Sequence, residues 1–165
     1  MRWRSPGLVC HPPGFIEPCL PTLARTVPTG AQWAPEIKHD GFRFICCRDG
    51  DRVRLFSRGG HDWSAQLPAI VEAMRAFPVT SVTLDGEGVI CGPDRVSQFD
   101  RMSTVFGRRS SREAFLYAFD LLELDGRDLR RKRWDDRRAL LAQLLTGANE
   151  LCDRGRRWTP TRLSG

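Results

Sequence analysis

The stretch EIKHDGFRFICCRDGDRVRLFSRGG, residues 36–60, decides how this chain is read. Its centre is a hairpin: Phe42 to Cys47 and Arg52 to Ser57 are strand candidates, and the Asp49-Gly50 pair between them is a strong turn signal. Trp33 to Lys38 adds a short strand before them. Alternation along an extended chain puts Glu36, Lys38 and Asp40 on one side. Gly41 lets backbone approach a ligand closely, and Arg43 offers a planar fork suited to phosphate. Lys38 is one of only two lysines, the other being Lys132. A lysine amine is a nucleophile only when deprotonated, and burial or a neighbouring cation increases that fraction. A divalent metal ion would do the same and neutralise a phosphate under attack. On spacing alone a plainer reading is favoured, a solvated strand end with an incidental charge pair.

Outward from this stretch, Trp63 to Phe77 reads as a helix, with Leu67, Ile70, Val71 and Met74 at helical spacing and Pro78 as its stop. Val79 to Leu84 and Gly88 to Cys91 read as strands around a turn at Asp85-Gly86-Glu87. Ser97 is the expected N-cap of a short helix through Met102. Ala114 to Leu122 is an apolar, aromatic run that reads as a buried strand. Arg133 to Leu145 reads as an amphipathic helix, with Gly147 stopping it. Helices and strands that alternate irregularly, with hairpins, predict an α+β fold with a largely antiparallel sheet. Residues 1–30 carry Pro6, Pro12, Pro13, Pro18, Pro21 and Pro28 and read as an extended lead-in that cannot hold a long helix. Residues 31–148 form the domain proper, and 149–165 an irregular, frayed tail.

The 165 residues suffice for one domain. The net charge of +6 and pI of about 9.4 favour anionic partners, nucleic acid being the commonest. No apolar run reaches the ~20 residues of a membrane span, and no apolar region follows the basic start Met1-Arg2-Trp3-Arg4, which argues against a secretory signal. The six cysteines form no C-x-x-C pair and sit near no histidine cluster, so reduced thiols in the cytoplasm are expected rather than a zinc site. Nothing matches a P-loop, G-x-G-x-x-G, H-E-x-x-H or G-x-S-x-G.

Four motifs in order carry a resemblance. Glu36-x-Lys38-x-Asp40-Gly41-x-Arg43 resembles the first motif of covalent nucleotidyltransferases, namely ATP-dependent DNA ligases, RNA ligases and capping enzymes. Phe56-Ser57-Arg58-Gly59-Gly60 is similar to the S/T-R-x-G that follows it in ligases, although Arg58 alone reads as a surface arginine beside a turn. Leu84-Asp85-Gly86-Glu87 resembles the D-G-E motif, although alone it reads as a hairpin turn. Phe115 to Leu122 resembles the aromatic strand in which one ring, here Phe119, stacks on adenine. Pro13-Gly14-Phe15-Ile16-Glu17-Pro18, Leu20-Pro21 and His61-Asp62-Trp63 look like the bacterial end-joining branch. The resemblance runs from Pro13 to about Leu145.

It implies a partial nucleotidyltransferase domain, ATP-grasp-like, with antiparallel sheets and flanking helices. It implies an ATP-dependent DNA ligase of DNA repair and recombination, with ATP and Mg2+ (or Mn2+) as cofactors. The partner would be nicked or broken duplex DNA, and the protein would be a monomer with no membrane association. Lys38 would attack the α-phosphate of ATP, release pyrophosphate and carry AMP; AMP would pass to a 5′-phosphate and leave when a 3′-hydroxyl attacks. Glu36, Arg43, Arg58, Glu87 and Phe119 would bind the nucleotide, and Glu87 would also support the metal. The family's later E-G-x-x-x-K and K-x-K motifs and its oligonucleotide-binding domain have no counterpart in these residues, as in a truncated or frameshifted product. The alternative is an inactive remnant that binds nucleotide or DNA only. An RNA ligase or capping enzyme fits the lead-in less well.

Overall fold

A computed structural model describes residues 14–20, 22–30, 33, 40–94, 96–107, 110–146 and 152–153. The hairpin is present: β1 (Phe42–Asp49) pairs antiparallel with β2 (Arg52–Ser57), from Phe44 opposite Ser57 to Asp49 opposite Arg52. Of the expected strand from Trp33 to Lys38, only Trp33 lies within the described residues, and it is exposed. The described part of the lead-in, residues 14–20 and 22–30, holds neither helix nor strand.

Helix α1 (Pro68–Arg75) is shorter than its apolar spacing suggested. Pro68 stands at its start, where a fixed φ and a missing N–H cost nothing, and residues 64–66 form a turn instead. The helix ends before Pro78, because Phe77 leaves it to be buried at 3% exposure. Leu67, Ile70, Val71 and Met74 are all buried, as their spacing required.

The expected turn at Asp85-Gly86-Glu87 does not exist. β3 (Ser81–Val89) runs straight through it, paired with β1 from Ser81 to Gly88. Gly86 is there for closeness rather than for turning. A Cβ at that position would stand 2.7 Å from the Tyr117 carbonyl oxygen and 2.9 Å from Leu116 Cδ1. At Gly88 a Cβ would stand 2.7 Å from the Phe44 ring. Ser97 is also not an N-cap: α2 (Phe99–Gly107) starts two residues later, and the Ser97 hydroxyl instead accepts the Asp40 backbone N–H at 3.4 Å. β4 (Phe115–Leu124) and α3 (Trp134–Leu145) follow near their expected positions, and between them lies a short strand that the sequence did not announce, β5 (Arg127–Asp128). The tail was expected to be frayed, yet β6 (Cys152–Asp153) pairs in parallel with Leu116 and Tyr117; the rest of the tail lies outside the described residues.

The sheet order is β2-β1-β3-β4-β5, antiparallel throughout, with β6 added to β4. Strand alternation divides it into two faces. One carries Phe44, Cys46, Leu55, Val82, Leu84 and Leu116, which join Ile70 and Met74 of α1 and Met102 and Val105 of α2 in the core. The other carries Arg43, Ile45 and Cys47 of β1, and Thr83, Asp85 and Glu87 of β3, with Tyr117 and Asp120 of β4 beside them in register. The lead-in crosses this second face. The Gly14 carbonyl accepts from Cys47 Sγ at 3.1 Å, the Cys19 carbonyl from Arg43 Nη1 at 2.7 Å, and the Phe15 ring meets Phe56 edge-on at 5.7 Å. Adjacent Cys46 and Cys47 thus point to opposite faces, and burial pushes the Cys47 thiol up to about 11. Among the described residues, no helix is long and apolar enough to cross a membrane.

Candidate functional site

The second face of the sheet gathers charge around Arg43. β1 places this arginine in its first turn of pleat, one residue beyond Phe42, opposite Glu87 of β3. Its fork is engaged at both ends: Nε donates to Asp85 Oδ1 at 2.9 Å and Nη2 to Asp85 Oδ2 at 2.7 Å, while Nη1 holds the Cys19 carbonyl. Its guanidinium also lies over the Phe119 ring, 5.5 Å from the centroid, within cation–π range. Hydrogen bonding to Asp85 holds Arg43 above its usual value, against the pull of burial, and Glu87 adds to the rise. Asp85 is only 4% exposed. Burial pushes its carboxyl above the ordinary range, Arg43 opposes this, and the neighbouring Asp120 adds to the rise.

Phe119 owes its place to a β-bulge. Gly86 faces Ala118 and Asp85 faces Asp120, so Phe119 is the extra residue between two ladder positions. The next residue, Asp120, is gripped by Arg137 of α3, Nε to Oδ1 and Nη2 to Oδ2, both at 2.8 Å. Two arginine–aspartate pairs therefore stand side by side across β3 and β4.

Of the residues singled out in the sequence, Arg43, Glu87 and Phe119 come together on this face. Arg58 does not join them among the described residues; it lies exposed in the turn after β2. Lys38 and Glu36 lie outside the described residues, while Asp40 begins the described chain just before β1 and is exposed. An open cleft of about 600 Å³ beside it is lined by Asp40, Ser97, Gln98, Phe99, Asp100 and Arg101. Three partners went unread in the sequence: Asp85 as the anchor of Arg43, and the pair Asp120 and Arg137. A strand reading of residues 81–89 would have put Asp85 on the same face as Glu87. Nothing distinguishes Arg137 among the 26 basic residues.

Among the described residues no group of three or more His, Cys, Asp or Glu is placed to hold a metal ion. Asp85 and Asp120 are committed to arginines, and Glu87 stands opposite Arg43 in the β1–β3 register on the same face. Mg2+ is commonly held by one or two carboxylates, with substrate phosphate and water completing the shell. Glu87 fits that mode and not an all-protein cage.

Residues 21–154 match the family described as ATP dependent DNA ligase domain. The chain is 34% identical over 138 residues to the multifunctional non-homologous end joining protein LigD of Pseudomonas aeruginosa, covering 84% of this chain and 16% of that protein. It is 36% identical over 142 residues to a probable DNA ligase of Sorangium cellulosum, covering 79% of this chain and 27% of the relative. The matches thus span less than a third of these relatives. Among solved structures it resembles the ligase domain of Mycobacterium tuberculosis LigD, at TM-score 0.59 and 36% identity over 72% of this chain and 38% of that one. It also resembles a mycobacterial DNA ligase D complexed with ATP and MES, at TM-score 0.59 and 35% identity over 71% of this chain and 38% of that one.

Proposed function

The chain belongs to the ATP-dependent DNA ligase family, and on that premise we propose that it provides the nucleotide-binding part of an enzyme that seals nicked or broken duplex DNA through a lysyl-AMP intermediate, in DNA repair and recombination. The observation that carries the reading is the Phe119 ring, backed by Arg43 and set beside Glu87 on one sheet face, where β1 continues directly from Lys38-x-Asp40-Gly41. The ring offers an adenine a π-face. Arg43 supports that ring from behind, its fork held by Asp85 and the Cys19 carbonyl. Lys38 is the nucleophile: its amine bonds to the α-phosphorus of ATP, the bond to pyrophosphate breaks, and the amine proton goes to solvent. Glu36 and Arg58 contribute to nucleotide binding, and Glu87 contacts the nucleotide and holds Mg2+. The ion, when bound, supplies charge neutralisation at the phosphates. The protein acts as a monomer in the cytoplasm.

Labelling tests this. Purified chain incubated with α-labelled ATP and Mg2+ is expected to acquire label that is stable to base and labile to acid, and Lys38→Ala to acquire none. Unlabelled wild-type protein, or a Lys38→Ala variant labelled equally, would sink the nucleophile assignment. A second reading, nucleotide or DNA binding without transfer, draws support from the net charge of +6, which favours anionic partners. It predicts ATP binding without any label.

A further inference from the structure

We propose that Arg137 of α3, acting through Asp120, is a positioning residue for the Phe119 ring and so sets how tightly the adenine base is held. This rests on the reading of Phe119 as the base platform.

A bulge residue has no ladder partner, so the strand pairing does not itself fix where its side chain points. Something next to it must. Asp120 follows Phe119 directly and is pinned by three hydrogen bonds. Its Oδ1 accepts the Leu121 backbone N–H at 2.9 Å and Arg137 Nε at 2.8 Å, and its Oδ2 accepts Arg137 Nη2 at 2.8 Å. Arg137 is fixed in turn, because its Nη1 donates to the Lys132 carbonyl at 2.8 Å. The side chains of the pair are 14% and 18% exposed, so this is not a freely solvated surface contact.

The electrostatics points the same way. Asp85 and Asp120 stand directly opposite each other in the β3–β4 register. Each carries its own guanidinium, Arg43 on one side and Arg137 on the other. Without Arg137, two neighbouring carboxylates would share the Arg43 fork, and the fork that backs the Phe119 ring would be drawn off it. The pair therefore guards the ring twice: by closing the bulge behind it, and by leaving Arg43 to Asp85. A lysine at 137 would keep the charge but lose the two-pronged grip.

The test compares two ligands that differ only in the base and sugar. Wild-type protein, Arg137→Lys, Asp120→Asn and Phe119→Ala are titrated with ATP and with inorganic tripolyphosphate in Mg2+, with circular dichroism checking that each is folded. Wild type is expected to prefer ATP. Arg137→Lys and Asp120→Asn are each expected to lose about tenfold or more of their ATP affinity, the scale of one lost stacking contact, with tripolyphosphate unaffected. Adding Phe119→Ala to Arg137→Lys should cost nothing further. A merely structural clamp would weaken both ligands alike or neither, and either result overturns the inference while leaving the platform standing. A wild-type protein with no preference for ATP would overturn the platform reading and this inference together.

Discussion

A carboxylate that is 4% exposed and held at both oxygens by one guanidinium does not tolerate the loss of that partner. Arg43→Ala would leave the Asp85 charge buried and uncompensated, which typically costs about 3–5 kcal/mol. Urea unfolding should show a lower midpoint at an unchanged slope; a loss below about 1 kcal/mol would mean that the pair does not hold the sheet face. The pH dependence has a defined sign. A carboxyl raised by burial contributes stability that is present below its unfolded value and is lost as pH rises through the folded one. The deficit of Arg43→Ala should therefore shrink on acidification, as Asp85 takes up a proton. The family motif marked Arg43 as a site residue, but its anchor was not legible: Asp85 sits 42 residues away, and Asp-Gly-Glu is as good a hairpin signal as it is a strand.

Single elements carry the next set of consequences. β3 passes so close to β4 at Gly86 that Gly86→Ala must push backbone against backbone. Overpacking of this kind costs about 1–3 kcal/mol, and a variant as stable as wild type in thermal melts would contradict the tight crossing. The turn between β2 and α1 is stapled by Asp62, which accepts from Ser64 Oγ at 2.5 Å, the Ser64 backbone N–H at 3.0 Å and Arg54 Nη1 at 2.7 Å. Burial pushes the Asp62 carboxyl up, but these hydrogen bonds outweigh it and hold the group below its ordinary value of 3.8. Its contribution is present above that value and lost as pH falls through the folded one. Wild type should melt above Asp62→Asn at pH 6, with the gap closing below pH 4; a gap independent of pH would refute the staple. The hairpin and α3 were legible because they are local, the one written in a turn dipeptide and the other in an unbroken run without Gly or Pro, although the expected amphipathic face is weak: Trp134 is exposed and only Leu141 and Leu145 are buried. The continuity of β3 and the bulge at Phe119 were not, because both are set by how closely β4 lies alongside, and no local window contains that distance.

At the scale of the molecule, the charge of +6 has a measurable consequence if DNA is the partner. For three phosphate contacts, raising salt from 50 to 200 mM should weaken duplex binding about 40-fold, by counterion release. Filter binding or anisotropy would measure it, and a salt-insensitive affinity would exclude the phosphate backbone as the ligand. The α+β class and the antiparallel sheet were legible from the order of elements. The sheet order was not, because β1 reaches past β2 and α1 to pair with β3, and no turn signal records such a jump. Nor did composition reveal that the two terminal segments meet the sheet at β1 and β4.

The glycine seat between β1, β3 and β4 has a consequence for inheritance. Every single-base missense change in a glycine codon installs a residue with a Cβ. At Gly86 that atom would meet the carbonyl of Tyr117, and at Gly88 the ring of Phe44. Drift at these two codons is thus confined to synonymous changes as long as the sheet is under selection, whereas Gly59, whose Cβ would meet nothing within 4 Å, is free to vary.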